Sequence, residues 1–254
     1  MEGISLDEKI LPGTRLNKYI ADSGVCSRRE ADRIIGEGRV TLDGRLGVAG
    51  DRVLPGSTVT LDGQVVGGHS RLVTIALNKP RGIVCTADPR EPMNVVDYVG
   101  YPARIFPVGR LDKDSEGLLL LTSDGEIVNK LLRAAGGHEK EYEVEVDRPV
   151  TREFLEKMAA GVPILNTVTL PCRIRRTGEK SFTLILVQGL NRQIRRMCKA
   201  LGCNVVRLRR VRINCIRLGG LKPGQWRELT QQEIDALWAS IGSSSSLPAE
   251  DSEE

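Results

Sequence analysis

Apolar positions recur with two periods along this chain, and the element changes where the period changes. Leu16, Tyr19 and Ile20 fall at helical spacing. After a break at Gly24, Ser27 and Glu30 have the Ser-x-x-Glu spacing of a capping box, which predicts the start of a second short helix. Ala31, Ile34 and Ile35 line one face of that helix and can pack on the first, which leaves Arg28, Arg29 and Arg33 on the outer surface. Short β-like pieces follow at residues 40–42, around Val53 and at 59–61, punctuated by the turn dipeptides Asp43-Gly44, Pro55-Gly56 and Asp62-Gly63. Residues 15–65 therefore read as a small α+β domain. Residues 66–71, which contain Gly67-Gly68-His69-Ser70, read as a linker.

From residue 72 the pattern predicts strands at 72–77, 118–122, 141–146, 173–176 and 182–187. Helices fit 124–134, 152–160, 191–201 and, after a second capping box at Thr230 and Glu233, 231–240. Strands and helices alternate irregularly, which argues for an α+β domain over 72–241, a mixed or antiparallel sheet with flanking helices, and against a doubly wound α/β fold. Residues 242–254 hold almost no apolar side chains and are expected to be disordered.

At 254 residues the chain has room for these two domains. No apolar run approaches the ~18 residues that span a bilayer, and MEGISLDEKILPG lacks the basic flank and apolar stretch of a secretory signal, so no membrane and a cytoplasmic location are expected. Cys26, Cys85, Cys172, Cys198, Cys203 and Cys215 show no paired short spacing and read as free thiols. Cys198 and Cys203 lack a nearby histidine or second cysteine pair, so no metal is expected. With His69 and His138 the only histidines, a histidine-based triad is disfavoured.

The net charge of +4 is small, but the charge is segregated. Residues 191–218 carry nine Lys or Arg and no Asp or Glu, while every charge after Thr230 is acidic. A basic stretch interleaved with Ile, Val and Leu suits a polyanion such as RNA; the alternative is a solvated surface.

The segment GRLDKDSEGLLLLTSDG, residues 109–125, sets several carboxylates just before an apolar strand, so Asp112 sits on a loop held by a buried element. A calcium loop is ruled out because the position that should supply a bidentate carboxylate is Ser123. What remains open from the residues is a reactive carboxylate or a pair, Asp112 and Asp114, that caps a turn.

This segment resembles the catalytic motif of pseudouridine synthases of the RsuA/RluB/RluF branch. HEKEYEV and LVQGLNRQIRRM resemble the family's second and third motifs in the same order, and the similarity runs from about Arg15 to Leu237, nearest to the RluF type. RLNKYIADSGVCSRREADRIIGEGRVTLDG with GDRVLPGSTV resembles the small RNA-binding module first recognised in a ribosomal small-subunit protein, the S-four type. The resemblance implies isomerisation of a uridine in large-subunit (23S) ribosomal RNA, with no cofactor and a monomeric protein. It puts Asp112 in the catalytic role, Arg195 as its guanidinium partner and Tyr142 over the flipped base. Arg110 would fill the gap that the base leaves, Arg192 and Arg196 would bind phosphate, and Arg28, Arg29 and Arg33 would contact RNA from the small domain. From the residues alone, other roles stay open: a strand-core position for Tyr142, phosphate binding or surface solvation for the arginines of 192–196, and a packing unit for the small domain. The alternatives to the large-subunit target are small-subunit rRNA, tRNA, or a non-catalytic RNA-binding assembly factor. The presence of Asp112, Tyr142 and Arg195 together favours an enzyme.

Overall fold

A computed structural model of the protein describes residues 13–67, 72–132 and 137–242. Residues 68–71 of the expected linker, the last two residues of the helix expected at 124–134, and residues 243–254 of the stretch expected to be disordered lie outside the described residues. The chain divides between Leu72 and Val73 into two units.

In the first unit, helices Leu16–Asp22 and Arg28–Gly36 pack on a four-stranded sheet with strand order Arg45–Leu46, Val40–Leu42, Val59–Leu61, Gln64–Val66. Both hairpins turn on the Asp-Gly pairs read from the sequence, and Asp43, Gly44, Asp62 and Gly63 all have positive φ, the conformation a two-residue hairpin needs to match the strand twist. Leu16, Ile20, Ala31, Ile34, Ile35 and Val40 form its core. The Ser27 hydroxyl accepts the Glu30 N–H at 3.0 Å as the capping box requires, but the Glu30 carboxylate turns to Arg33 instead of completing the box.

The second unit is built on a nine-stranded mixed sheet. Its main path runs Arg173–Gly178, Ser181–Leu186, Lys140–Val146, Val205–Ile213, Glu116–Thr122, Thr74–Lys79, Trp226–Glu228. Every pairing along this path is antiparallel except that of Val205–Ile213 with Glu116–Thr122. The run of four leucines in Glu116–Thr122 is buried on both faces: Leu118 and Leu120 join the core under helices Gly125–Leu132 and Gln231–Gly242, while Leu119 and Leu121 join the one under Val95–Val99. A strand covered on both sides has no polar face, which is why it reads as an unbroken apolar run. Helices Arg152–Ala160 and Gln193–Ala200 cover the other end of the sheet through Phe154, Met158, Ile194 and Met197.

The nine-residue strand Val205–Ile213 escaped the sequence reading. Its arginines obscure the apolar alternation, and the sheet accepts them because the neighbouring strand supplies glutamates: Arg207 pairs with Glu145, Arg209 with Glu143 and Arg212 with Glu141, each opposite its partner in register. All six cysteines are free thiols, and no described helix is long and apolar enough to cross a membrane.

Candidate active site

The loop that carries Asp112 is tied down at nearly every residue. Arg210 Nη1 donates to the Arg110 carbonyl at 3.4 Å, and Leu111 N–H donates to Cys85 Sγ at 3.3 Å. Ser115 N–H closes a turn on the Asp112 carbonyl at 3.0 Å, Gly82 N–H donates to the Lys113 carbonyl at 2.8 Å, and Arg195 Nη2 donates to the Asp114 carbonyl at 3.1 Å. Leu111 is buried in the core beside Ile83 and Leu119. A loop with its backbone groups satisfied in this way holds a carboxylate in one place before any substrate arrives.

Two guanidinium groups face that carboxylate. Asp112 Oδ2 lies 3.6 Å from Arg192 Nη1 and 3.8 Å from Arg195 Nε. The Arg195 side chain is 15% exposed and is held by Val205 O, Asp114 O and Ser115 Oγ; that of Arg192 is 43% exposed. Burial pulls the Arg195 pKa below the ordinary guanidinium value and the neighbouring Arg192 acts the same way, while Asp112 and Asp114 oppose both. The buried Arg195 Nε–H has no hydrogen-bond acceptor, since 3.8 Å is an ion-pair distance and too long for a hydrogen bond.

Tyr142 enters from the adjacent part of the sheet. The register row Lys79, Gly117, Arg210, Tyr142, Leu184 crosses five strands. A register shift between Glu141 and Tyr142 breaks the ladder at that row, an irregularity of the kind that re-aims side chains beside functional sites. The Tyr142 ring is half-buried and packs against the core cluster that contains Leu111. Arg192 and Arg195 thus face Asp112, Tyr142 packs on the core that includes Leu111, and Arg110 is exposed on the loop. Arg196 is turned aside, donating to the Asn191 carbonyl at 3.0 Å and to the Asn191 side-chain oxygen at 3.1 Å. Arg28, Arg29 and Arg33 lie in the first unit, all exposed; Arg33 is engaged by Glu30 and Glu37.

Sequence reasoning missed Lys79, Gly117 and Arg210. Lys79 is fully buried and its ammonium donates to the Pro80 carbonyl at 2.8 Å and the Ile83 carbonyl at 2.9 Å, shaping the turn whose Gly82 holds Lys113. Burial pulls the Lys79 pKa down, against the fields of Cys85 and the three acidic groups at 112, 114 and 116. Arg210 is 3% exposed, donates from Nε to Leu118 O at 2.7 Å, and keeps a buried Nη2 without a partner. A lysine ending an apolar strand just before Pro80 was the available signal for the first; nothing in the order of residues separated Arg210 from its paired neighbours.

Gly117 makes the parallel pairing possible. Its φ is +103°, and a Cβ there would stand 2.7 Å from Arg210 N and closer still to Arg210 O. Gly117→Ala is expected to destabilise the second unit by about 3 kcal/mol, from left-handed strain and steric overlap together. Urea denaturation measures this, and an unchanged midpoint would mean that the strands have room to separate.

The stretch 191–218 is less available to a polyanion than its composition suggested. Arg207, Arg209 and Arg212 are committed to glutamates and Arg210 is buried, whereas Arg192, Arg196 and Lys199 on the helix Gln193–Ala200 and its entry remain exposed.

The chain is similar to known proteins over most of its length. Residues 73–200 match the family model described as RNA pseudouridylate synthase, and residues 14–66 match the S4 domain. The chain is 53% identical over 234 residues to the Dual-specificity RNA pseudouridine synthase RluF of Escherichia coli (strain K12), covering 91% of this chain and 81% of the relative. It is 36% identical to the Ribosomal large subunit pseudouridine synthase B of Bacillus subtilis (strain 168), covering 89% of this chain and 96% of the relative. A crystal structure of a pseudouridylate synthase superposes with a TM-score of 0.64 at 28% identity, covering 88% of this chain and 99% of that one. The protein is a member of the RNA pseudouridine synthase family, an isomerase whose synthase fold is preceded by an S4 domain.

Proposed function

We propose that the enzyme isomerises a uridine of large-subunit (23S) ribosomal RNA, with Asp112 as the carboxylate that acts at the ribose. The observation that carries the target is the pair of relatives: the Escherichia coli enzyme at 53% identity over nearly the whole chain, and a Bacillus subtilis enzyme named for the large ribosomal subunit. The word dual-specificity in the first name favours, as a second reading, an additional RNA substrate such as a tRNA.

The reaction breaks the bond from the anomeric carbon to uracil N1, turns the base, and forms a bond from the same carbon to C5; the proton lost from C5 balances the one gained at N1. No electrons are exchanged, so the reaction needs no redox partner. Asp112 serves as nucleophile at the anomeric carbon or as base toward the neighbouring ribose carbon, and in either role it must be ionised. The guanidinium groups of Arg192 and Arg195 face its Oδ2 at 3.6 and 3.8 Å. The target base leaves its stack at a cost of a few kcal/mol. Arg110, exposed on the same loop, has the flat cationic group suited to filling the space left behind. Tyr142, half-buried against the core that includes Leu111, offers an aromatic face for the extruded base. Arg196, Arg28, Arg29 and Arg33 supply phosphate contacts that position the RNA and carry no sequence information. The protein acts as a monomer in the cytoplasm.

The test is a pseudouridine map of ribosomal and transfer RNA from cells with and without the gene. One large-subunit signal should disappear on deletion and return with the wild-type gene. A large-subunit map unchanged by deletion would overturn the assignment of target.

A further inference from the structure

Asp112 has two cationic neighbours and is hydrogen-bonded to neither. Its Oδ2 stands between Arg192 Nη1 at 3.6 Å and Arg195 Nε at 3.8 Å. The two arginines differ in everything but charge. Arg195 is held by three hydrogen bonds to Val205, Asp114 and Ser115, and its buried Nε–H lacks an acceptor. Arg192 has the more exposed side chain, and its backbone is left-handed, with φ +49° at the entry of the helix Gln193–Ala200. A bulky residue in that conformation is strained, and such strain persists where the surroundings impose it, often at sites of function. The Gln193 N–H donates to the Leu190 carbonyl at 3.2 Å and the Leu190 N–H to the Gln193 side-chain oxygen at 2.9 Å, so a tight turn at the helix entry holds Arg192 in this conformation.

We propose that Arg192 is an exchangeable counter-ion: it neutralises Asp112 in the RNA-free enzyme and passes to an RNA phosphate on binding, leaving Asp112 to close on the vacant Nε–H of Arg195. This rests on the reading of Asp112 and Arg195 given above, and goes beyond it by assigning Arg192 two alternating partners. The exposed arginine is the one within reach of a backbone phosphate, and a guanidinium binds a phosphate oxygen pair as readily as a carboxylate. The anchored arginine cannot follow, because moving it would forfeit three bonds to the loop and strand. Phosphate arrival then leaves Asp112 with a single fixed partner, so the carboxylate is locked in position only when RNA is in place. Binding and activation are linked through a single side chain.

If Asp112 holds Arg192 in the free enzyme, it competes with RNA for it. The experiment is a double-mutant cycle on affinity, using in vitro transcribed, protein-free large-subunit rRNA as the probe, with wild type, Asp112→Asn, Arg192→Gln and the double variant. Melting curves establish that each is folded. Asp112→Asn should bind about 3- to 10-fold more tightly than wild type, because Arg192 is released. Arg192→Gln should bind more weakly, with a log-log salt slope shallower by about one. In the Arg192→Gln background, Asp112→Asn should change affinity less than about twofold, whereas in an Arg192→Lys background, which keeps a cation, part of the gain should return. An equal gain in all three backgrounds would mean that loss of a negative charge repelling the RNA explains it, and would overturn the exchange; so would no gain in any. The cycle reads binding alone, so it stands or falls separately from the catalytic role of Asp112, which turnover decides.

Discussion

Asp112→Asn is expected to lower the turnover of RNA uridine by about 10³-fold or more while leaving the fold intact and RNA binding no weaker than in the wild type. The amide keeps the shape of the side chain and removes the charge, and an amide is neither the nucleophile nor the base that the proposed reaction needs. The fold should survive because the loop is held through its backbone, by Arg210 on Arg110, Cys85 on Leu111, Gly82 on Lys113 and Arg195 on Asp114, and none of these bonds uses the Asp112 carboxylate. Single-turnover assays at saturating RNA separate chemistry from affinity. A variant that keeps a tenth or more of the wild-type rate would remove Asp112 from the mechanism.

Arg195→Lys should cost nearly as much, about 10²-fold in single-turnover rate, although the charge is retained. The Arg195 guanidinium performs two tasks at once: Nη1 and Nη2 hold Val205, Asp114 and Ser115, and Nε faces Asp112. A lysine ammonium is one point on a flexible stem and cannot keep both ends of that geometry. The loop around Asp114 should loosen as well, detectable as faster amide exchange there. If Arg195→Lys turned over at the wild-type rate, the planar fork would be irrelevant and the electrostatic field alone would suffice.

Much of this molecule is legible in one dimension, for a physical reason: local backbone preferences and the burial of one face are written in neighbouring residues. The Asp43-Gly44 and Asp62-Gly63 turns, the Ser27 and Thr230 helix starts, and the four-leucine strand before Thr122 all arise from chemistry within a few positions, and all appear where expected. The fold class and the family were legible too, the latter from three motifs whose order along the chain could be compared with known ones.

Relations between distant residues were not legible. The strand Val205–Ile213 looked like a basic ribbon because the glutamates that neutralise it lie more than sixty residues earlier, on Lys140–Val146. Gly117 looked like one glycine among many until the backbone of Arg210 was found against it. Neighbouring residues do not decide the burial of Lys79 or Arg210, and only the assembled sheet buries them. The sequence by itself determined the elements, their caps and turns, and the set of charged groups. The tertiary structure decided which arginines stay available and which are spent on glutamates, because pairing depends on register and burial across strands, and those distances exist only after the chain has folded.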